Sequence, residues 1–196
     1  MTMTSIRSVG YCFHRSQQGD WAFEYAFELA RSANLALKVF HFLADPYDPS
    51  RQEAPALPHA ERTRLAIERE RDLRSYFDER LGDYLNVGFR VCEDHGWREL
   101  HRCLTHHEFQ VLVLARPENG AMFAGKPLEE FADAFVCPVV LIGPSAPTEF
   151  RLNSPARLIA DKLGLPSRLR QLFRNPCMAC APQASETSEP GGATRD

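Results

Sequence analysis

No apolar run in this sequence approaches the roughly 18 residues that a membrane-spanning helix needs. The opening residues, Met1 to Arg7, lack the apolar stretch of a secretory signal, so the cytoplasm is the expected compartment. A dominant charge is also missing. The formal net charge of −3 leaves no basic footprint of the kind nucleic-acid binding requires, and no nucleic-acid partner is expected. A disulfide framework is missing as well: Cys12, Cys92, Cys103 and Cys137 stand singly in apparent strands and helices, which suits small buried hydrophobes in a reducing compartment. Catalytic signatures are absent too. Ser16, His14 and Asp20 lie close in sequence, but a triad is defined by geometry and has no motif here. Cys103 and His107, four apart, share a helical face beside His106, yet nothing in the sequence brings further metal ligands to them. Neither an enzyme nor a metal protein is expected.

What is present is a repeated pattern. The apolar run Val111-Leu112-Val113-Leu114-Ala115 returns as Val139-Val140-Leu141-Ile142-Gly143, each too short for a buried helix and rich in β-branched residues. Between them, Leu128, Phe131, Ala132 and Phe135 fall at helical spacing behind Pro127, a residue suited to a first helical turn. This reads as a βαβ unit whose polar loop, Arg116 to Gly125, sits at the carboxyl end of a strand, where α/β proteins bind ligands.

Towards the amino end, strands are expected at Val9–Phe13, Leu35–Phe42 and Val87–Val91. Helices are expected from Asp20 as N-cap, from Ala60 to Leu85, and from Trp97 to His107 with Leu100, Cys103, Leu104 and His107 inward. The mixed charges Glu61, Arg62, Glu68, Arg69, Glu70 and Arg71 read as a solvated helix face. Five strands alternating with four helices imply an α/β fold with a doubly wound, mainly parallel five-stranded sheet and helices on both faces.

Residues 6–144 resemble the universal stress protein family. The resemblance lies in Ala22-Phe23-x-x-Ala26-x-x-Leu29-Ala30, in Val39-Phe40-His41-Phe42, in Val111 to Leu114, and in Cys137-Pro138-Val139-Val140-Leu141-Ile142. It implies a Rossmann-like, adenine nucleotide alpha hydrolase-like fold, a role in stress response, and a homodimer formed by antiparallel pairing of the last strand, here Val139, Val140, Leu141 and Ile142. Members that bind ATP resemble one another in an aspartate after the first strand and a glycine loop, G-x2-G-x9-G-[ST], after the fourth. This chain has His14 at the aspartate position, Ala115 and Glu118 for the first two glycines, Gly125 for the third and Lys126 for the hydroxyl residue, in a shorter loop. A carboxylate at 118 would repel polyphosphate. The expectation is a non-catalytic module with no resident cofactor that does not bind ATP in the family manner.

Two alternatives remain open. One is a nucleotide or anion sensor using His14, Arg15, Arg116, Gly120, Gly125 and Lys126, with ATP or another adenine nucleotide as the cofactor. Gly120 to Lys126 also spells G-x-x-x-x-G-K, but Pro127 stands where a P-loop needs Ser or Thr. The other is a redox or metal-dependent adaptor built on Cys177 and Cys180.

The expected division is residues 1–144 as the α/β domain, 145–175 as a linker with short basic amphipathic helices, and 176–196 as a disordered tail. From Phe150 to Arg174, six basic residues face Asp161 alone. Such an arm can bind an acidic protein surface, an anionic membrane, or its own acidic domain.

Overall fold

The computed structural model describes residues 6–48, 58–92 and 96–173. Strands β1 (Ser8–Cys12), β2 (Ala36–Phe42), β3 (Val87–Cys92), β4 (Val111–Ala115) and β7 (Val139–Ile142) run parallel; β8 (Phe150–Leu152) joins antiparallel, and the order is β3-β2-β1-β4-β7-β8. The hairpin β5 (Met122–Phe123) and β6 (Lys126–Pro127) stands apart from this sheet. The helices are α1 (Gln17–Ala33), α2 (His59–Leu81), α3 (Gly96–Thr105), α4 (Leu128–Asp133), α5 (Ser154–Arg157), α6 (Ala160–Leu163) and α7 (Ser167–Leu172).

The period-two alternation of the strands divides the core into two layers. Val9, Tyr11, Leu37, Val39, Val111, Val113, Val140 and Ile142 face α1 and α2, together with Phe23, Leu29, Leu73 and Phe77. Cys12, Phe40, Phe42, Leu112, Leu114, Val139 and Leu141 face α3 and α4, which contribute Leu100, Cys103, Leu128 and Phe131. Apolar residues on both faces of each central strand are what a doubly covered parallel sheet demands. The four thiols Cys12, Cys92, Cys103 and Cys137 are free and buried, and burial pushes those of Cys103 and Cys137 up to about 12, so they remain protonated packing groups.

Helix α1 begins earlier than the sequence pattern suggests. Ser16, in extended conformation, is its N-cap, and its hydroxyl accepts the Gly19 N–H at 3.0 Å. Asp20 instead lies in the first turn, where it meets the Arg80 guanidinium at 2.6 Å. Helix α3 ends at Thr105, and His107, at φ 58°, is turned outward to solvent, not inward beside the fully buried Cys103.

The expected boundary after Pro144 does not divide the structure. Beyond it the chain adds β8 along β7, with Val140 opposite Leu152 and Ile142 opposite Phe150. Val139–Ile142 is therefore flanked by β4 and β8 and presents no free edge for pairing with a second copy. The basic helices pack on α1: Leu163 and Leu169 are fully buried, the Tyr25 hydroxyl donates to the Leu163 carbonyl at 3.0 Å, and Arg168 donates to the Glu28 carbonyl at 3.1 Å. Asn153 fastens this extension. Its Oδ1 accepts the N–H groups of Val139 and Ala156, and its Nδ2 donates to the carbonyls of Ala132, Phe135 and Cys137. Among the described residues no helix is long and apolar enough to cross a membrane. The expected tail, with Cys177 and Cys180, lies outside the described residues.

Candidate functional site

In an open parallel sheet the ligand crevice lies outside the carboxyl ends of the strands, where the winding reverses. Here the chain winds from β1 outward to β2 and β3, then returns to place β4 on the other side of β1. Tyr47 fills this switch point. Its hydroxyl donates to the Ala115 carbonyl, the last residue of β4, at 3.0 Å. Its ring packs against His14 at 4.3 Å between centroids and edge-on to Phe123 at 4.9 Å. Burial holds the Tyr47 hydroxyl well above the usual phenol range, so it stays a neutral donor. Alongside it the Ala124 N–H donates to the Pro46 carbonyl at 2.7 Å, latching the loop after β2 to the loop after β4.

The loop after β4 is consumed by its own structure. Ala124 and Gly125 carry φ of 50° and 79°, the consecutive positive values of a primed two-residue hairpin turn, and Phe123 pairs with Lys126 across it. Gly125 thus serves a β-turn, and Lys126 is an exposed strand residue preceding α4. Phe123 is fully buried against Phe131 and Phe42. Arg116 turns to its neighbours, donating through Nε to Glu129 at 3.0 Å and through Nη2 to Asn119 at 2.7 Å. Gly120 is exposed, with a φ of 78°.

Of the six residues that the sequence suggested, His14 and Arg15 line a cavity; Arg116, Gly120, Gly125 and Lys126 do not. The cavity, of about 240 Å³, opens on the other side of β1 from the blocked crevice, between the carboxyl ends of β1 and β2 and the helix α2. Phe13 and Tyr76 give it aromatic walls, and Phe42 borders it with its ring turned to the other face of the sheet against Phe123; His14, Arg15, His41, Asp45, Arg69 and Asp72 give it polar groups. Phe13 makes edge contacts at 5.4 Å with both His41 and Tyr76.

Burial lowers the pKa of both histidines, Asp45 opposing in each case; at His41 the guanidinium groups of Arg69 and Arg15 depress it further. Both imidazoles are therefore neutral at physiological pH. His14 is held by its Nδ1, 2.7 Å from the Ser16 hydroxyl. Neither Arg15 nor Arg69 has an ion-pair partner among the described residues. His41, Arg69, Asp72 and Tyr76 were not singled out as site residues in the sequence.

The polar groups do not assemble a catalytic triad. The Ser16 hydroxyl caps α1, and the Asp45 carboxylate accepts the Tyr47 N–H at 3.0 Å, holding its own turn. Among the described residues no three His, Cys, Asp or Glu side chains are placed to hold a metal.

Gly19 sets the position of His14. A Cβ at residue 19 would stand 1.8 Å from the His14 carbonyl oxygen, a backbone atom with no side-chain freedom to yield. Gly19→Ala is expected to cost about 1–3 kcal/mol and to displace the His14 turn. Chemical denaturation and the His14 imidazole resonance check this.

No family model and no curated protein matches the sequence. Solved structures match in fold. The universal stress protein UspA from Lactobacillus plantarum aligns with a TM-score of 0.50 at 16% identity, covering 71% of this chain and 99% of that one. A universal stress family protein from Burkholderia pseudomallei aligns at 0.48 and 18% identity, over 70% and 96% of the two chains. The universal stress protein from Archaeoglobus fulgidus gives 0.47 and 14%, over 71% and 100%. On the first of these matches, the chain has the universal stress protein fold.

Proposed function

We propose that this protein is a non-catalytic stress-response module of the universal stress protein type, working in the cytoplasm and not holding ATP in the family manner. Fold likeness alone does not assign a function. The observation that carries the reading is the Tyr47 plug: a triphosphate at the switch point needs open space and free N–H donors, and that rim holds a ring hydrogen-bonded to Ala115. The hairpin at Ala124 and Gly125 supports it, because backbone paired across a turn does not wrap phosphate. We place no second copy at Val139–Ile142, both of whose sides are occupied.

Two measurements test this. The purified protein is expected to show no nucleotide absorbance, and calorimetric titration with ATP to about 1 mM is expected to give no saturable heat. Co-purified adenylate, or a saturable ATP isotherm, would sink the reading. The cavity beside β2 is the observation that favours a second role, as a sensor of a small ligand.

A further inference from the structure

We propose that the cavity between β1, β2 and α2 is a binding site for a compact aromatic monocarboxylate, about one ring in size. This goes beyond the module role, which assigns no ligand to the cavity.

Three features select that chemistry. The volume of about 240 Å³ lies below the roughly 300–1,000 Å³ of drug-sized ligand pockets, which favours a small guest. The walls of Phe13 and Tyr76 offer faces and edges to an aromatic ring. Arg15 and Arg69, both without ion-pair partners among the described residues, supply the planar donor forks that match a carboxylate. Asp45 and Asp72 border the same space and repel multiply charged anions, so one negative charge suits the site better than a phosphate ester.

Binding is coupled to a proton. His41 shares the cavity lining with His14, Arg15, Asp45, Arg69, Asp72 and Tyr76, and burial together with the Arg69 and Arg15 guanidinium groups lowers its pKa. A carboxylate drawn in by the two arginines favours the imidazolium form, so the bound state has the higher imidazole pKa and takes up a proton. Affinity therefore rises as the pH falls.

The experiment is an NMR titration of the full-length protein, following the imidazole resonances of His14 and His41. Benzoate is the probe, and benzamide its neutral isostere, each taken to about 10 mM. Benzoate is expected to shift both sets of resonances saturably, with benzamide binding about tenfold more weakly or worse. Arg69→Ala, at an exposed position of α2, is expected to weaken benzoate about tenfold with the fold unchanged. Binding is expected to be about threefold tighter or more at about pH 5.5 than at about pH 7.5. Equal binding of benzamide, indifference to Arg69→Ala, or a pH-independent affinity overturns the proposal. No shift with benzoate or with ATP overturns the proposal but leaves the module reading standing; shifts from ATP alone overturn both.

Discussion

Asn153→Ala is expected to lower stability by about 3–4 kcal/mol, a drop of about 10 °C in melting temperature for a chain of this size. The side chain is almost wholly buried and makes five hydrogen bonds. Truncation strands the buried N–H groups of Val139 and Ala156 and removes the side-chain donor from the Phe135 and Cys137 carbonyls, while the Ala132 carbonyl keeps the Phe135 N–H. The loss is concentrated where the strand β7, the turn after α4 and the start of α5 meet. Thermal and denaturant unfolding measure it; a change within about 1 kcal/mol would show that these bonds are readily replaced. Asn153→Asp is expected to destabilise as well, since a carboxylate keeps the two acceptors but sets a buried charge against three carbonyl oxygens.

Phe77→Ala is expected to cost about 3–5 kcal/mol. Phe77 is fully buried at the centre of an aromatic cluster, with centroids 4.4 Å from Phe23, 4.9 Å from Tyr76, 5.5 Å from Phe13 and 6.3 Å from Tyr11. It is one of the three buried residues that α2 turns to the core, with Leu73 one turn before it, beside the cavity, and Leu81 one turn after. Its removal leaves a void that rigid neighbours on three elements cannot fill. The same change is expected to loosen the helix that carries Arg69, Asp72 and Tyr76, so any occupant of the cavity is lost together with stability. Denaturant unfolding alongside the benzoate titration separates the two effects, since Arg69→Ala leaves this packing untouched.

The five parallel strands and the helices between them were legible because each central strand is apolar on both faces and each helix keeps a spaced apolar stripe. The start of α1 was misplaced because Ser16 and Asp20 are both residue types that cap helices, and only the backbone shows which one is extended. Strand β8 escaped notice for a different reason. Phe150-Arg151-Leu152 is too short to display alternation, and Leu152 alone is buried. Asn153 carries no signal of its role in the sequence; its bonds to Ala132, Phe135 and Cys137 depend on a turn that only the folded chain brings beside it. The site was half legible. His14 and Arg15 follow β1 and so fall at the carboxyl rim, but Arg69 belongs to a charged helix face with the look of a solvated surface, and its approach to His41 is a tertiary event. In the loop after β4 glycine followed by lysine has the look of an anion cradle, and the left-handed turn at Ala124 and Gly125 that forms a hairpin there is visible only in the backbone.

The pairing of β8 with β7 also fixes the order in which the molecule becomes safe from self-association. During synthesis from the amino end, Val139–Ile142 emerges before the segment that covers it, with its hydrogen-bonding groups on one side unshielded. Closure waits for Phe150–Leu152 and for Asn153 to reach the turn behind it. A nascent chain halted before that point carries a sticky apolar ribbon, and the few residues after it act as a clasp that converts a template for aggregation into the interior of a sheet.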